Sequence, residues 1–220
     1  MTTPKQHKPI IKQADAGSIR MRLEEDRVAE ILDVAARIFI SQGFEGASIN
    51  EIARQSNASK TTLYSRFPTK QKLFIAVLER RMNLIFSQVS MALPLDSPIE
   101  STLQEFGSRL LQLALSEDQI ALLRVVSMES TRFPELGERF YELGPERGIA
   151  QLKHYIQEQI KHGRLVKDDP MLMAEHLSSL LTGWPVRWVV LGLRDNSGPK
   201  AKRRRIDSAV KVFLRAYSAE

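Results

Sequence analysis

Apolar residues recur along this 220-residue chain at intervals of three and four positions, the spacing of one face of an α-helix. Alternation of apolar and polar positions, which would indicate β-strands, is almost absent. The periodicity predicts two short helices between residues 48 and 67 and longer helices over 24–42, 70–93, 99–115, 117–130, 134–160, 170–193 and 205–218, with a break in the fifth of these near Gly144 and Pro145. The predicted fold class is therefore all-α.

Stop signals mark where the predicted helices end. Gly43 is well placed to terminate the first helix, and Phe44 could then fold back onto Phe39, as helices that stop at glycine often do. Pro94 and Pro98 end the long fourth helix. That helix begins directly after the two short ones, so it connects them to the rest of the chain.

Composition separates the first 22 residues from the remainder. They hold five basic residues against one acidic residue, together with Pro4, Pro9 and Gly17, and this predicts disorder. A basic arm of this kind could reach the DNA backbone or minor groove, or it could be a solubilising tail. We expect three parts: this arm (1–22), a three-helix head (23–69) and a helical region (70–220).

The segment from residue 48 to 67 predicts two short helices joined by a tight turn. Ser48 and Glu51 have the spacing of a capping box, in which each side chain accepts from the other residue's backbone N–H. Asn57 tolerates the left-handed backbone that such a turn requires, and Ser59 is a plausible cap for the second helix. The apolar spacing assigns Leu63, Tyr64 and Phe67 to the buried side of that helix.

The opposite face of the second short helix is polar and basic. It carries Ser59, Lys60, Thr61, Thr62, Ser65 and Arg66. Hydroxyl and ammonium groups on a narrow helix can reach phosphates and base edges in the major groove of DNA. A helix-turn-helix reader is one interpretation, and an ordinary helical hairpin with a solvated face is the other.

These residues also resemble the DNA-binding signature of the TetR family of bacterial regulators. The resemblance rests on Glu51-Ile52-Ala53, on the run ASKTTLYSRF from Ala58 to Phe67, and on Pro68-Thr69-Lys70. Thr61, the Ser65-Arg66 pair and Gln71 depart from the commoner family residues. Residues 129–170 resemble the C-terminal region of the AefR-like branch of the same family.

The resemblance implies a cytoplasmic bacterial regulator, most often a repressor, that binds a palindromic operator in double-stranded DNA as a homodimer. Groove contacts are expected from Lys60, Thr61, Thr62 and Ser65, beside Ser59 and Arg66. Tyr64 and Lys70 are expected on phosphates, with Ser48 anchoring the first short helix to the duplex.

Members of the family also enclose an effector pocket and pair through their last two helices. Expected pocket residues are Phe86, Leu110, Leu123, Met128, Phe133, Phe140, Tyr141, Tyr155, Met173, Trp184 and Trp188, although each could equally be ordinary core. Expected dimer contacts are Ala174, Leu177, Leu181, Trp188, Leu191, Ile206, Val210, Phe213, Leu214 and Tyr217. The basic run 200–205 is interpreted as a solvated cap or loop before the final helix.

Composition narrows the remaining function classes. The net charge of +6 favours anionic partners only weakly, and the absence of cysteine rules out disulfide and thiol chemistry. No signal-peptide-like or membrane-spanning apolar run is present, and no nucleotide-binding or hydrolase motif suggests an enzyme or a cofactor. Two alternatives stay open: a small-molecule carrier without specific DNA binding, and a metal-binding helix that uses His154, Glu158 and His162.

Overall fold

The computed structural model describes residues 13–88, 92–193 and 198–219, and these ranges form an all-α fold. Ten helices lie within them: α1 Gln13–Gly46, α2 Ile49–Gln55, α3 Lys60–Arg66, α4 Lys70–Gln88, α5 Ile99–Ala114, α6 Glu117–Glu129, α7 Pro134–Leu143, α8 Pro145–Lys161, α9 Pro170–Val190 and α10 Pro199–Tyr217. An isolated antiparallel bridge joins Leu165 to Ser218 and fastens the chain's last described residues to the α8–α9 loop. The predicted fold class is confirmed.

Helix α1 begins earlier than its apolar periodicity predicts. Residues 13–22 were expected to belong to a disordered arm, and that expectation is wrong because they form the first turns of α1. No proline interrupts this stretch, so the helix propagates outward from the packed turns that follow. Ile19 and Met21 remain exposed, which shows that the extension does not depend on core burial. Residues 1–12 of the arm lie outside the described residues.

The end of α1 follows the predicted stop. Helical geometry breaks at Gly43, where φ is 73° and ψ is 173°, a conformation that favours glycine. Phe44 then stacks on Phe39 with ring centroids 5.7 Å apart. Phe74 of α4 meets both rings edge-on, and Phe133, just before α7, packs on Phe44. This aromatic cluster packs the end of α1, which leads into the two short helices, against α4 and the segment before α7.

Two separate hydrophobic cores hold the described helices together. The first core contains buried residues of α1, α2, α3, the N-terminal half of α4, α6 and α7. The second core contains buried residues of α5, α8, α9 and α10, with Leu165. Helix α4 joins them, because Leu73 to Met82 belong to the first core while Ile85 and Phe86 pack against the second. The core containing the short helices therefore continues well past residue 69.

Arginine side chains tie elements to one another around these cores. Arg80 makes a two-nitrogen contact with Asp33 at 2.8 and 3.0 Å, which fastens α4 to α1. Arg139 of α7 pairs with Glu79 of α4 at 2.7 Å. Between the cores, Arg124 of α6 donates to the backbone oxygens of residues 189 and 190 at the end of α9.

Helix α10 also starts earlier than predicted. The basic run 200–205, interpreted above as a cap or loop, forms the first turns of this helix, which begins at Pro199. Proline suits the first helical position because its missing N–H would have no partner there. Arg203 pairs with Asp207 at 3.0 Å, one turn further on, which offsets part of the run's self-repulsion. None of the helices in the described ranges is long and apolar enough to cross a membrane.

Candidate nucleic-acid interface and cavity

The turn between α2 and α3 has the tight geometry that the sequence predicts. Asn57 adopts φ 52°, the left-handed conformation expected of it. The Ala58 N–H donates to the oxygen of Ala53 at 2.9 Å, and Ser56 is fully buried beneath the turn. An arginine from α1, Arg27, donates to the Asn57 oxygen. The angle between α2 and α3 is thus fixed by hydrogen bonds and by contact with α1.

The two short helices differ in how they are capped. Ser59 caps α3 as predicted, because its hydroxyl accepts from the Thr62 N–H at 2.9 Å. Ser48 precedes α2 but makes no side-chain cap, so the predicted capping box is wrong. Glu51 turns instead toward Arg54 and Gln55, each at 2.6 Å. Those hydrogen bonds lower the pKa of Glu51 to about 2.

A single side chain anchors α3 in the first core. Leu63 is 1% exposed and is the only residue of α3 that is buried. Tyr64, assigned by spacing to the buried side, is 50% exposed, which corrects that assignment and leaves its hydroxyl at the surface. Phe67 is partly buried against the core. The rest of α3 is therefore free to face a partner.

The exposed face of α3 brings the predicted contact residues together. Ser59, Lys60, Thr61, Thr62, Ser65 and Arg66 are all exposed. The hydroxyls of Ser59 and Thr62 lie 2.7 Å apart, and the Ser65 hydroxyl donates to the Thr62 oxygen at 2.9 Å. Each of these hydroxyls retains lone pairs that can accept from a partner. The face is small, polar and cationic, as the sequence predicts.

Lys70 is occupied within the protein. Its ammonium donates to the Glu45 backbone oxygen at 2.9 Å and lies 4.9 Å from the centre of the Phe44 ring. Burial lowers the pKa of Lys70 below its ordinary value. The residue therefore joins the start of α4 to the end of α1, a role that the sequence reasoning did not assign to it.

A cavity of about 680 Å³ lies between the two cores. Its walls come from α4, α5, α6, α7, α8 and α9, so helices of both cores contribute. Of the residues expected to line a pocket, the cavity includes Phe86, Leu110, Leu123, Phe140 and Tyr141. Most of the remaining wall is aliphatic or small, and Glu175 and Arg187 are its charged members.

Six of the expected pocket residues do not line this cavity. Met128 is 78% exposed, Phe133 packs on the first core, and Tyr155 and Met173 are buried in the second core. Trp184 and Trp188 border a different groove. Helical periodicity identifies side chains that are removed from solvent. It does not show whether such a side chain lines a cavity or packs against another side chain. The small residues of α9 that open the cavity, Ser178, Ser179, Thr182 and Gly183, carried no such signal.

The expected dimer contacts on α9 and α10 need a similar correction. Ala174, Leu177, Leu181, Ile206, Val210 and Phe213 are at most 3% exposed and fill the protomer's own second core. Leu214 and Tyr217 pack at its edge. The other two expected contacts, Trp188 and Leu191, are exposed. Together with the exposed side chains of Leu180, Trp184 and Val212 they form what we call the apolar face. The two tryptophan rings lie 5.9 Å apart on this face.

The histidine pair on α8 has no metal-binding geometry. Glu158 pairs with Lys161 at 2.7 Å, and Nδ1 of His162 lies 2.7 Å from the Glu158 backbone oxygen. His154 is exposed one turn earlier. Within the described ranges, no group of three or more histidine, cysteine, aspartate or glutamate side chains could hold a metal ion.

Comparison with known proteins agrees with this architecture. Residues 31–77 match the model of bacterial regulatory proteins of the tetR family, and residues 101–219 match the C-terminal domain of AefR-like transcriptional repressors. The solved structure of the flavonoid-responsive regulator FrrA is 30% identical, covers 88% of this chain and 98% of its own, and has a TM-score of 0.79. A TetR-family regulator from Mesorhizobium loti is 29% identical over 89% of this chain and 98% of its own, with a TM-score of 0.80.

Among curated proteins, the transcriptional activator FasR of Mycolicibacterium smegmatis is 35% identical over 69 residues, which is 31% of this chain and 32% of that protein. The chain thus spans about a third of this relative. The family models, by contrast, together cover most of the sequence in the expected order. These relatives are transcriptional regulators and not enzymes. The chain belongs to the TetR family of bacterial transcriptional regulators.

Proposed function

We propose that this regulator is a homodimeric repressor that binds a palindromic operator and is released from it by a small organic effector. The observation that carries the proposal is the exposed face of α3. One buried leucine holds this helix to the first core, and its other side offers hydroxyls and cations with no competing apolar surface. Such a helix fits the major groove of DNA.

The contacts with DNA divide into groove and backbone contacts. We assign Lys60, Thr61, Thr62 and Ser65 to base edges, with Arg66 beside them. Tyr64 supplies a hydroxyl for a phosphate at the edge of the groove. Ser48 is exposed and makes no cap in the protein, so its hydroxyl is available to the duplex backbone.

Two copies of the chain are needed because one seven-residue helix offers too few contacts for specific binding. We place the interface on the apolar face of α9 and α10. Two tryptophans, two leucines and a valine exposed together are unusual for a monomer, and burying them against a second copy would remove them from water. The paired heads would then reach half-sites about 34–36 Å apart.

The cavity is the proposed effector site. Because its walls come from both cores, a ligand there contacts the body that carries α3 and the body that carries the apolar face. A ligand that prefers the arrangement in which the two α3 helices no longer match the half-sites would release DNA. A preference of about 1–3 kcal/mol is typical of such coupling. FrrA is described as flavonoid-responsive, and we carry over from it only that the effector is an organic molecule.

Selection from a pool of random DNA duplexes tests the proposal directly. The purified protein is mixed with the pool at moderate salt, and bound duplexes are sequenced over several rounds. We expect enrichment of a two-fold symmetric site. A Thr61→Val, Thr62→Val double variant, which keeps side-chain size and removes two hydroxyls, should enrich a different site or none. Binding without any enrichment would contradict the proposal and favour a carrier of small molecules.

A further inference from the structure

The cavity between the two cores has an uneven distribution of charge. Its walls are mainly apolar, and they include two ionised side chains, Glu175 and Arg187, both on α9. The two are twelve residues apart, which is roughly 18 Å along a helix. They therefore mark different ends of an elongated space.

Neither charged group has a partner among the described residues. In the part of the chain that the structure describes, the guanidinium of Arg187 and the carboxylate of Glu175 make no hydrogen bond or ion pair. Most other arginines of the same region do have partners, as Arg124, Arg147 and Arg164 show. Arg187 is exposed at the rim of the cavity, and Glu175 is partly buried in its wall. An anionic group beside Arg187 would gain charge-assisted hydrogen bonds at this rim while the apolar body of the same molecule enters the cavity.

We propose that the effector is an organic monoanion: an apolar body with a single carboxylate or comparable anionic group that pairs with Arg187. The inference rests on the proposed function of the cavity and assigns its ligand class. The anionic group lies at the Arg187 end, near the last turn of α9. The apolar body extends between Phe86, Leu110 and Phe140. A second anionic group at the other end would meet Glu175 and is disfavoured.

The small side chains of α9 and α8 leave room for such a body. A Cβ placed on Gly183 would meet nothing within 4 Å, and a Cβ on Gly148 would meet only Leu110, at 3.9 Å. Both glycines are helical, and both line the cavity. A leucine at position 148 would therefore occupy the space that the ligand's body needs, whereas an alanine would leave most of it open.

Two fluorescent probes with matched bodies test the assignment. Anilinonaphthalene sulfonate carries one anionic group, and N-phenylnaphthylamine has the same rings without it. Both are titrated against the full-length protein and against Arg187→Met. We expect the variant to bind the sulfonate about tenfold more weakly, or about 1.4 kcal/mol. Its affinity for the uncharged probe should change less than twofold. Arg215→Met, which removes an exposed arginine from α10 away from the cavity, should change neither affinity.

Cavity filling shows whether both probes occupy this site. Gly148→Leu should weaken both, while Gly148→Ala should leave them within about twofold, and circular dichroism checks that each variant is folded. Equal losses for the two probes in Arg187→Met, no loss for either, failure of both to bind, or unchanged binding in Gly148→Leu would each overturn the inference. The operator selection uses protein without ligand, so it can succeed even where this inference fails.

Discussion

At the scale of single residues, neighbouring side chains of α3, the proposed DNA-reading helix, have different roles. Leu63 holds α3 to the first core, Ser59 caps its start, and Lys60 and Thr61 extend into solvent. Replacing Leu63 by alanine would remove buried methyl groups and cost about 2–5 kcal/mol. Loss of DNA binding in that variant would therefore report unfolding of the helix. Contacts with DNA are better tested at the exposed positions.

Lys60→Ala should weaken binding to every duplex and leave folding unchanged. The ammonium is exposed at the first turn of α3, so its removal disturbs no core contact. Because the variant brings one positive charge fewer to the DNA, the slope of log affinity against log salt should fall by about one. Fluorescence anisotropy at several salt concentrations measures this slope. Lys211→Ala, on the exposed side of α10, should leave the slope as it is.

Lys70→Ala should act mainly on stability. Its ammonium donates to the Glu45 oxygen and sits over the Phe44 ring, and together these contacts contribute about 1–2 kcal/mol. Urea denaturation should show that loss in the absence of DNA. The matched variant Lys72→Ala changes an exposed lysine two residues further along α4. It should lower the free energy of unfolding by less than about 0.5 kcal/mol. Equal midpoints for the two variants would contradict this role of Lys70.

At the scale of elements, α4 connects the two cores. Its first half belongs to the first core, its second half packs on the second core, and Arg80 fastens it to Asp33 of α1. The hydrogen bonds from Arg80 hold the pKa of Asp33 below its ordinary value of 3.8. The α1–α4 junction is therefore sensitive to acid.

The sign of that sensitivity follows from the lowered pKa. Above pH 3.8 Asp33 is ionised in both the folded and the unfolded chain. The Asp33–Arg80 pair then makes its full contribution to the free energy of unfolding. As the pH falls through the folded-state pKa, the carboxylate is protonated and the contribution is lost. The difference in unfolding free energy between wild type and Asp33→Asn should thus be constant from about pH 7 to 5 and shrink below about pH 4. Denaturation at each pH measures it. Glu138→Gln, an exposed carboxylate of α7, is the control.

The helices and the fold were largely predictable from the sequence, whereas the surfaces proposed for dimerisation and effector binding were not. Periodicity located α5 to α9 to within a few residues, because each helix buries one clear stripe. Six of the ten expected dimer contacts lie in the protomer's own core instead, because α9 is apolar on two sides and spacing alone does not say which side meets that core. It missed the starts of α1 and α10, which depend on local propensity and carry no apolar stripe. The cavity is a space between elements, and no residue pattern records it.

At the scale of the whole molecule, the apolar face is the proposed contact between two copies of the chain. Trp184 is 58% exposed and Trp188 is 42% exposed, and they line one groove with Leu180 and Val212. Aromatic side chains at the centre of an interface commonly contribute 2 kcal/mol or more each. Dimerisation and sequence-specific binding should therefore fail together when this face is altered.

Trp184→Glu should convert a dimer into monomers at micromolar concentration, with a loss of affinity between protomers of at least about thirtyfold. Sedimentation velocity measures the change, and circular dichroism should show that the helices persist. Met21→Glu is a matched control, because Met21 is 60% exposed and belongs to α1, which supplies none of the residues of the apolar face. A variant at position 184 that sediments as the wild type does would place the interface elsewhere.

The division of the molecule into two cores also limits how its parts can be exchanged. The core beneath the short helices is completed by Leu122, Val126 and Leu136, which come more than thirty residues after α4 ends. A recombinant that joined residues 1–69 of this chain to the remainder of a relative would place foreign side chains against that core. Grafting operator specificity onto another regulator should therefore succeed by transferring only the solvent-facing residues of α3. During evolution the solvent-facing residues of α3 can therefore change independently. The core beneath α3 is expected to change together with α6 and α7, which complete it.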